Sequence, residues 1–143
     1  MKRLAAVLLL LLLLLVFAHK PSDSYLTVAV AGNTVRGQWD IALRDLDFAI
    51  GLDSNGDGEI TWGELRARHN DIAAYALARL AIGLDGAACL PQVTGQLVDQ
   101  HSDGAYAVLR FEAQCAKPGP ALELGYNLFF DLDPQHKGLL RLE

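Results

Sequence analysis

The sequence lacks any excess of positive charge, because 12 Lys and Arg face 17 Asp and Glu and the formal net charge is −5. A protein that binds nucleic acid needs clustered Lys and Arg to neutralise phosphates. We therefore expect no nucleic-acid partner. A mildly acidic chain is better suited to binding cations.

The sequence also lacks the side-chain arrangements that catalysis usually requires. It contains no glycine-rich phosphate-binding loop, and Ser22, Ser24, Ser54 and Ser102 lie outside any glycine elbow that would expose a nucleophile. After residue 18 it has no long-period repeat and no low-complexity segment. We expect a single domain that is not an enzyme.

One long apolar run is present, at the start of the chain. Lys2 and Arg3 precede fifteen consecutive apolar residues, Leu4–Ala18. A membrane-spanning helix needs about 20 such residues, so this run predicts a signal peptide over residues 1–18, cleaved after Ala18. An uncleaved anchor is the alternative. Residue 19 is His, so the junction offers no cysteine for lipid attachment.

Cleavage would leave residues 19–143 as one domain, exported to the periplasm or the extracellular space. Because Lys2 and Arg3 leave with the signal peptide, the formal net charge would change by two, from −5 to −7.

The two cysteines, Cys89 and Cys115, fit an exported protein with one disulfide. Two strand-like runs, Val93–Val98 and Ala105–Ala113, lie between them around the turn sequence HSDG. In a hairpin centred on that turn, the cysteines would face each other at the open end. A pair of reduced thiols is the alternative.

Residues 25–43 predict another β-hairpin, with its turn at Gly32 and Asn33. The alternation along its second strand places four apolar residues on one buried face: Val35, Trp39, Ile41 and Leu43. Asp45 is then positioned to cap a short helix over about residues 46–52.

Residues 65–82 lack Gly and Pro and carry an apolar stripe, which predicts one helix ending near Gly83. Strong alternation predicts a strand over residues 122–132, followed by a turn and a further strand beginning at Leu139. That last strand has no evident partner, which suggests a longer parent protein or a truncated C-terminus. The expected fold class is α+β, with antiparallel hairpins and a helix–loop–helix inserted between them.

The segment between the first two predicted helices, DSNGDGEITWGE, carries oxygen-bearing residues at regular spacing. Loop positions 1, 3, 5, 7, 9 and 12 are Asp53, Asn55, Asp57, Glu59, Thr61 and Glu64. This spacing matches a calcium-binding EF-hand loop, and the predicted hand covers about residues 45–80. A polar turn between two helices is the alternative interpretation.

Each loop position has a physical reason. Calcium is a hard cation that takes six to eight oxygens, so the side-chain oxygens of Asp53, Asn55 and Asp57 suit it. Glu59, at position 7, contributes only its backbone carbonyl. Gly58 permits the sharp bend. Glu64 can supply two oxygens, and Ile60 points towards the core. Magnesium fits less well, since it demands compact octahedral geometry.

A second hand is not predicted. The segment from Asp131 has Pro134 inside it and Leu142 where a bidentate Glu is needed, so it indicates a turn between strands. Because hands usually pair, either the β-hairpins or a second chain would replace the partner, and the oligomeric state stays open. An exported hand works at roughly 10⁻⁴–10⁻³ M calcium, which favours a structural site over a signalling switch.

The chain resembles, over nearly all of its predicted mature part, the extracytoplasmic N-terminal region of bacterial HupE/UreJ-like membrane proteins. The resemblance rests on AHKPSDSYLTV, GQWDIALRDLDFAIGLDSNGDGEITWGELRAR, HSDGAYAVLRF and FFDLDPQHKGLLRLE. In longer members transmembrane helices follow, related to proteins implicated in transport of nickel or other metals. The resemblance implies a periplasmic accessory domain with one calcium hand, tethered to a membrane-embedded region or partner; transport is not carried over.

Two other functions are compatible with the sequence. The N-terminal amine and imidazole of His19, exposed by cleavage, could chelate copper or nickel with a further ligand such as His101 or His136. Alternatively, the domain is a protein-interaction module with purely structural calcium. Otherwise we expect His69 to pack on a helix, His101 and His136 to be solvated in turns, and Trp62 either to pack on the β-part or to mark a contact surface.

Overall fold

The computed structural model describes residues 22–143, so the predicted signal peptide and His19 lie outside the described residues. In this part of the chain seven strands and three helices follow one another in this order: β1 Asp23–Ala31, β2 Thr34–Ala42, α1 Leu43–Ile50, α2 Trp62–Ala67, α3 His69–Leu77, β3 Leu80–Leu84, β4 Ala87–His101, β5 Gly104–Gln114, β6 Leu122–Tyr126 and β7 Lys137–Leu142.

The strands form one sheet in the order β6-β3-β4-β5-β2-β1-β7, and the helices connect β2 to β3. The predicted α+β class is therefore confirmed, with the helices inserted between antiparallel hairpins as expected. Within residues 22–143 none of the helices has the length and apolar character needed to cross a membrane.

The first hairpin is confirmed. β1 and β2 pair antiparallel up to Ala31 and Thr34, and Gly32 takes a φ of 62° in the turn. The four residues predicted to face inward are all buried. The opposite face is covered as well near the end of β2, where Asp40 and Ala42 are buried, because Tyr106 of β5 pairs with Ala42 and His101 reaches Asp40.

Helix α1 begins three residues earlier than predicted. Its N-cap is Ala42, which makes no side-chain cap, so the prediction that Asp45 caps the helix is wrong. Asp45 lies in the first turn, where a negative charge is still favoured by the helix dipole. The strand therefore passes directly into the helix, and burial of Leu43 and Leu46 rather than a cap fixes the start.

The single helix predicted over residues 65–82 is also wrong. It divides at Arg68 into α2 and α3 and ends at Leu77. Residues 80–84 form β3 instead, with Leu80, Ile82 and Leu84 buried at every second position. β3 pairs with β4 on one side and β6 on the other, so sheet hydrogen bonds override a local helical preference.

The second hairpin and its disulfide are confirmed. β4 and β5 pair from His101 opposite Gly104 back to Leu90 opposite Gln114, with one register shift between Val93 and Gly95. Cys89 and Cys115 are bonded at the open end and are buried.

The predicted strand over residues 122–132 is half correct. β6 ends at Tyr126, and the chain then turns, with Phe129 at a φ of 60°. The N–H of Asn127 still bonds to the carbonyl of Arg79 at 2.9 Å, in register with the pairing of β6 and β3, and the backbone leaves the sheet after this residue. Leu128 is buried but Phe130 is exposed, so the continuous alternation did not mark one continuous face.

Strand β7 does have a partner, contrary to the expectation from sequence. It pairs in parallel with β1, from Asp23 opposite Lys137 to Val28 opposite Leu142. The sequence preceding it forms a turn, as predicted for the rejected second hand.

A buried chain of hydrogen-bonded polar groups connects the turn that precedes β7 to the core. Trp39 donates to the hydroxyl of Ser24 at 3.1 Å, and Ser24 bonds to the hydroxyl of Tyr126 at 2.6 Å. That hydroxyl lies 2.7 Å from Nε2 of His136, whose Nδ1 is 2.9 Å from the carbonyl oxygen of Ser22. Trp39 is a core residue, as predicted, but His136 is buried rather than solvated.

Gly37 in β2 is required by close packing. Phe111 on β5 pairs with Gly37, and its ring lies over the glycine, so an added Cβ would overlap that ring. We predict that Gly37→Ala lowers the free energy of unfolding by about 1–3 kcal/mol, the usual cost of overpacking a core. Urea denaturation measures this. Gly95→Ala is the matched control in β4, since nothing lies within 4 Å of its Cβ; equal losses in both variants would contradict the packing argument.

The stability of the domain should depend on the protonation of His136. Burial lowers the pKa of His136 below its ordinary value of 6.5, so the folded state disfavours the charged imidazole. Since the unfolded chain takes up the proton first, this contribution to stability is present above pH 6.5 and is lost as pH falls below it. We expect a smaller loss between pH 7.5 and 5 in His136→Gln than in the wild type, measured by urea denaturation at each pH. Parallel curves for the two proteins would refute it.

Candidate metal centre

The loop predicted to bind metal lies between α1 and α2. Helix α1 ends at Ile50, and its C-cap Gly51 has a φ of 71° and donates its N–H to the carbonyl of Asp47 at 2.8 Å. The segment 51–61 has no regular secondary structure. Thr61 then caps α2. The loop is thus bounded by a glycine that ends one helix and a hydroxyl that begins the next.

Two glycines give the loop its curvature. Gly56 and Gly58 have φ values of 73° and 85°, a region that other residues rarely enter, and nothing lies within 4 Å of where their Cβ atoms would be. The sequence predicted this role for Gly58 alone. Backbone strain rather than crowding therefore selects glycine at both positions.

The first three predicted ligands are organised by hydrogen bonds to the loop backbone. Asp53 accepts from the N–H of Gly56 at 2.7 Å through Oδ1 and from Gly58 at 2.8 Å through Oδ2. The side-chain oxygen of Asn55 accepts from the N–H of Asp57 at 3.0 Å, and its amide nitrogen donates to Oδ2 of Asp57 at 3.0 Å. These three side chains are consequently held on the inside of the curl.

Glu64 connects the two ends of the loop. Its Oε1 accepts from the N–H and the hydroxyl of Ser54 at 3.0 and 2.9 Å. Its Oε2 accepts from the N–H and the hydroxyl of Thr61, both at 2.9 Å. These bonds, from Thr61 first and then Ser54, lower the pKa of Glu64 to about 2. The carboxylate is therefore ionised at neutral pH, and both oxygens face the loop.

The pair Thr61 and Glu64 also forms a capping box, because the N–H of Glu64 donates to Oγ1 of Thr61 at 3.2 Å. The spacing Thr-x-x-Glu could have predicted this cap from sequence. Glu59 takes part through its backbone N–H, which donates to Asp57 at 2.9 Å. The structure thus places all six predicted residues within one loop: Asp53, Asn55, Asp57, Glu59, Thr61 and Glu64.

Sequence reasoning missed two residues that position the loop. Oδ1 of Asp47 accepts from the N–H groups of Leu52 and Asp53 at 2.6 and 2.9 Å, so it fixes the loop entrance. Nη2 of Arg68 donates to the carbonyl of Ile50 at 2.7 Å and so ties the α2–α3 junction to the end of α1. Neither contact follows from a loop pattern, since both depend on where the helices meet.

Apolar residues at the loop's edges attach it to the core. Leu52 and Leu65 are buried, and Ile60 is half-buried and packs against the core. Ile60 therefore contacts this chain's own core instead of a second hand. Trp62 remains half exposed and meets the ring of His69 on α3 edge-on at 5.6 Å.

His101 is placed differently from the expectation that it is solvated in a turn. It is half-buried, its Nε2 lies 3.1 Å from Oδ2 of Asp40, and its ring stacks on Tyr106 at 4.0 Å. The contact joins β4 to β2 across β5, which no local pattern could indicate.

No protein-family model and no curated protein matches this chain.

Asp47 should matter for stability although the loop pattern does not include it. We predict that Asp47→Ala costs about 1–2 kcal/mol in the free energy of unfolding, because two backbone N–H groups lose a charged acceptor. Thermal or urea denaturation without added metal measures the loss. Glu123→Ala, at an exposed acidic position on β6, is the matched control and should change stability by less than about 0.5 kcal/mol. Similar values for the two variants would remove Asp47 from the loop's support.

Proposed function

We propose that the loop Asp53–Glu64 is an EF-hand that binds one calcium ion. The ligands would be the side chains of Asp53, Asn55, Asp57, Thr61 and Glu64 and the backbone carbonyl of Glu59. The observation that carries the proposal is the placement of Glu64. Its two oxygens already face the loop, one at each end, where a bidentate ligand of calcium is needed.

The donor set supports a hard divalent cation. It consists of three carboxylates, an amide oxygen, a hydroxyl and a carbonyl, with no nitrogen or sulfur. A carboxylate has about four acceptor sites, so Asp53, which accepts two hydrogen bonds, keeps lone pairs for an ion. Glu64 accepts four hydrogen bonds, so a bound ion would replace some of its bonds to Ser54 and Thr61. Three clustered negative charges repel each other, and a bound Ca²⁺ offsets that repulsion.

The proposed role is structural. α1 enters the loop directly from β2, and α3 leads directly into β3, so a bound ion would fix the helix–loop–helix on the sheet. Ile60 packs on the core, which supplies the support that a second hand provides elsewhere. An unpaired, exposed hand of this kind belongs with extracellular sites that bind calcium at roughly 10⁻⁴–10⁻³ M.

An exported location agrees with the calcium proposal. The Cys89–Cys115 disulfide is compatible with an oxidising compartment. The sequence resemblance extends the proposal: we infer that the domain serves as the extracytoplasmic part of a HupE/UreJ-like membrane protein, next to a membrane-embedded region or partner.

The copper or nickel function proposed for His19 gains no support from the described residues. His19 lies outside them, and one of its suggested co-ligands, His136, is buried between Tyr126 and Ser22.

Removal of one carboxylate oxygen tests the calcium site. We predict that Glu64→Gln lowers calcium affinity at least about tenfold, because even the outer partners of a metal ligand are worth 10–100-fold. In the wild type, calcium at 100 times Kd should stabilise by about 2.7 kcal/mol, which corresponds to a rise in Tm of roughly 10 °C. Calorimetry and thermal denaturation measure both quantities.

Glu59→Gln is the matched control, since position 7 contributes only its backbone carbonyl. It should retain the calcium-dependent rise in Tm. The proposal fails if Glu64→Gln and the wild type show the same rise, or if neither responds to calcium.

A further inference from the structure

We propose that Asp40, Asp99 and His101 form a second metal site, which takes a divalent transition-metal ion of the zinc class. One ring nitrogen of His101 and one carboxylate oxygen from each aspartate lie within 4.8 Å of one another. None of the three residues belongs to the loop 53–64, and the cluster lies on the sheet instead.

The sheet brings these residues together from strands that are not neighbours. Asp99 and His101 are two residues apart on β4 and so share one face. Asp40 is on β2, and β5 lies between. His101 crosses that strand by lying on the ring of Tyr106, with the ring centroids 4.0 Å apart and the planes at 24°.

Two of the three ligands are held in place by other contacts. Asp40 is 8% exposed, its Oδ1 accepts from Gln38 at 3.0 Å, and its Oδ2 faces Nε2 of His101 at 3.1 Å. The His101 ring is also flanked by Tyr25 at 5.2 Å. Fixed rings and buried carboxylates lose little freedom on binding an ion, so the cost of assembling the site is small.

The spacing suits metal coordination. Ligand atoms about 2.0–2.2 Å from a tetrahedral zinc ion lie about 3.3–3.6 Å from each other, and the Asp40–His101 pair has a separation of 3.1 Å, close to that range. Asp99 is exposed, so rotation of its side chain can close the remaining distance. Water can complete the coordination.

The donor set separates this site from the calcium loop. One imidazole and two carboxylates suit Zn²⁺, Cu²⁺ or Ni²⁺, whereas calcium prefers an all-oxygen set. With a neutral imidazole the cluster carries two negative charges, which a divalent ion balances. The competing interpretation is a simple ion pair between Asp40 and a protonated His101.

Titration with zinc tests the site on protein that begins at residue 19 and so keeps every described residue. All samples carry His19→Ala, which removes the other candidate imidazole, and contain excess calcium so that the loop is filled. Calorimetry should show one zinc ion per chain. His101→Gln should weaken zinc binding at least about 100-fold, since a direct ligand should be worth at least as much as the best outer-shell partners.

Two controls separate this site from other histidines and from the loop. His69→Gln, on α3, should leave zinc affinity unchanged, and so should Glu64→Gln. Asp99→Asn should weaken zinc at least about tenfold, and because Asp99 is exposed, this variant should keep the wild-type fold by circular dichroism.

The proposal is overturned if zinc affinity is the same in His101→Gln, Asp99→Asn and the wild type, which would leave only an ion pair. It is also overturned if Glu64→Gln abolishes zinc binding, because the ion would then occupy the loop. A calcium response that fails while zinc binding persists would refute the calcium proposal alone.

Discussion

Strand β5 is the constraint on which the remaining geometry depends. It pairs along nearly its whole length with β2 on one side and β4 on the other, and the Cys89–Cys115 bond closes the ladder at one end. The helix–loop–helix leaves the sheet from β2 and returns to it at β3. Because β5 and β4 lie between those two strands, the sheet fixes the strands that carry the two ends of the insertion three positions apart. A helix–loop–helix anchored in this way does not need a second one to fix the angle between its helices.

The sequence predicted best where one periodicity ran without interruption between clear turns. The structure confirms two predicted hairpins. One was predicted from the alternation of Val35, Trp39 and Ile41, and the other from the HSDG turn that lies midway between Cys89 and Cys115. The same reasoning failed for residues 80–84, where a short alternating segment follows a helix and its strand character is created by pairing with β4 and β6. It also failed at Tyr126, where alternation continues although the backbone leaves the sheet.

The candidate sites divide in the same way. The proposed ligand positions in the loop are local in sequence, so spacing alone was enough to propose them, although the pattern could not show that Asp47 and Arg68 support the loop from the helices. The cluster of Asp40, Asp99 and His101 is non-local, and it exists only because the register of β2, β5 and β4 is fixed. Helix α1 lies between the two regions: it begins three residues after Asp40, and Arg44 on it donates to the carbonyl of Asp103 in the β4–β5 turn at 3.2 Å.

The parallel pairing of β7 with β1 has a mechanical consequence. In the part of the chain that the structure describes, β1 is entered from residue 22, whereas β7 runs beside it in the same direction and leads out to residue 143. A pulling force applied between these two points acts along the strands in opposite directions. It loads the hydrogen bonds of the ladder together, in shear, and does not open them one at a time as in a hairpin pulled from its ends. This edge of the sheet therefore resists tension along the chain better than a hairpin pulled from its ends would.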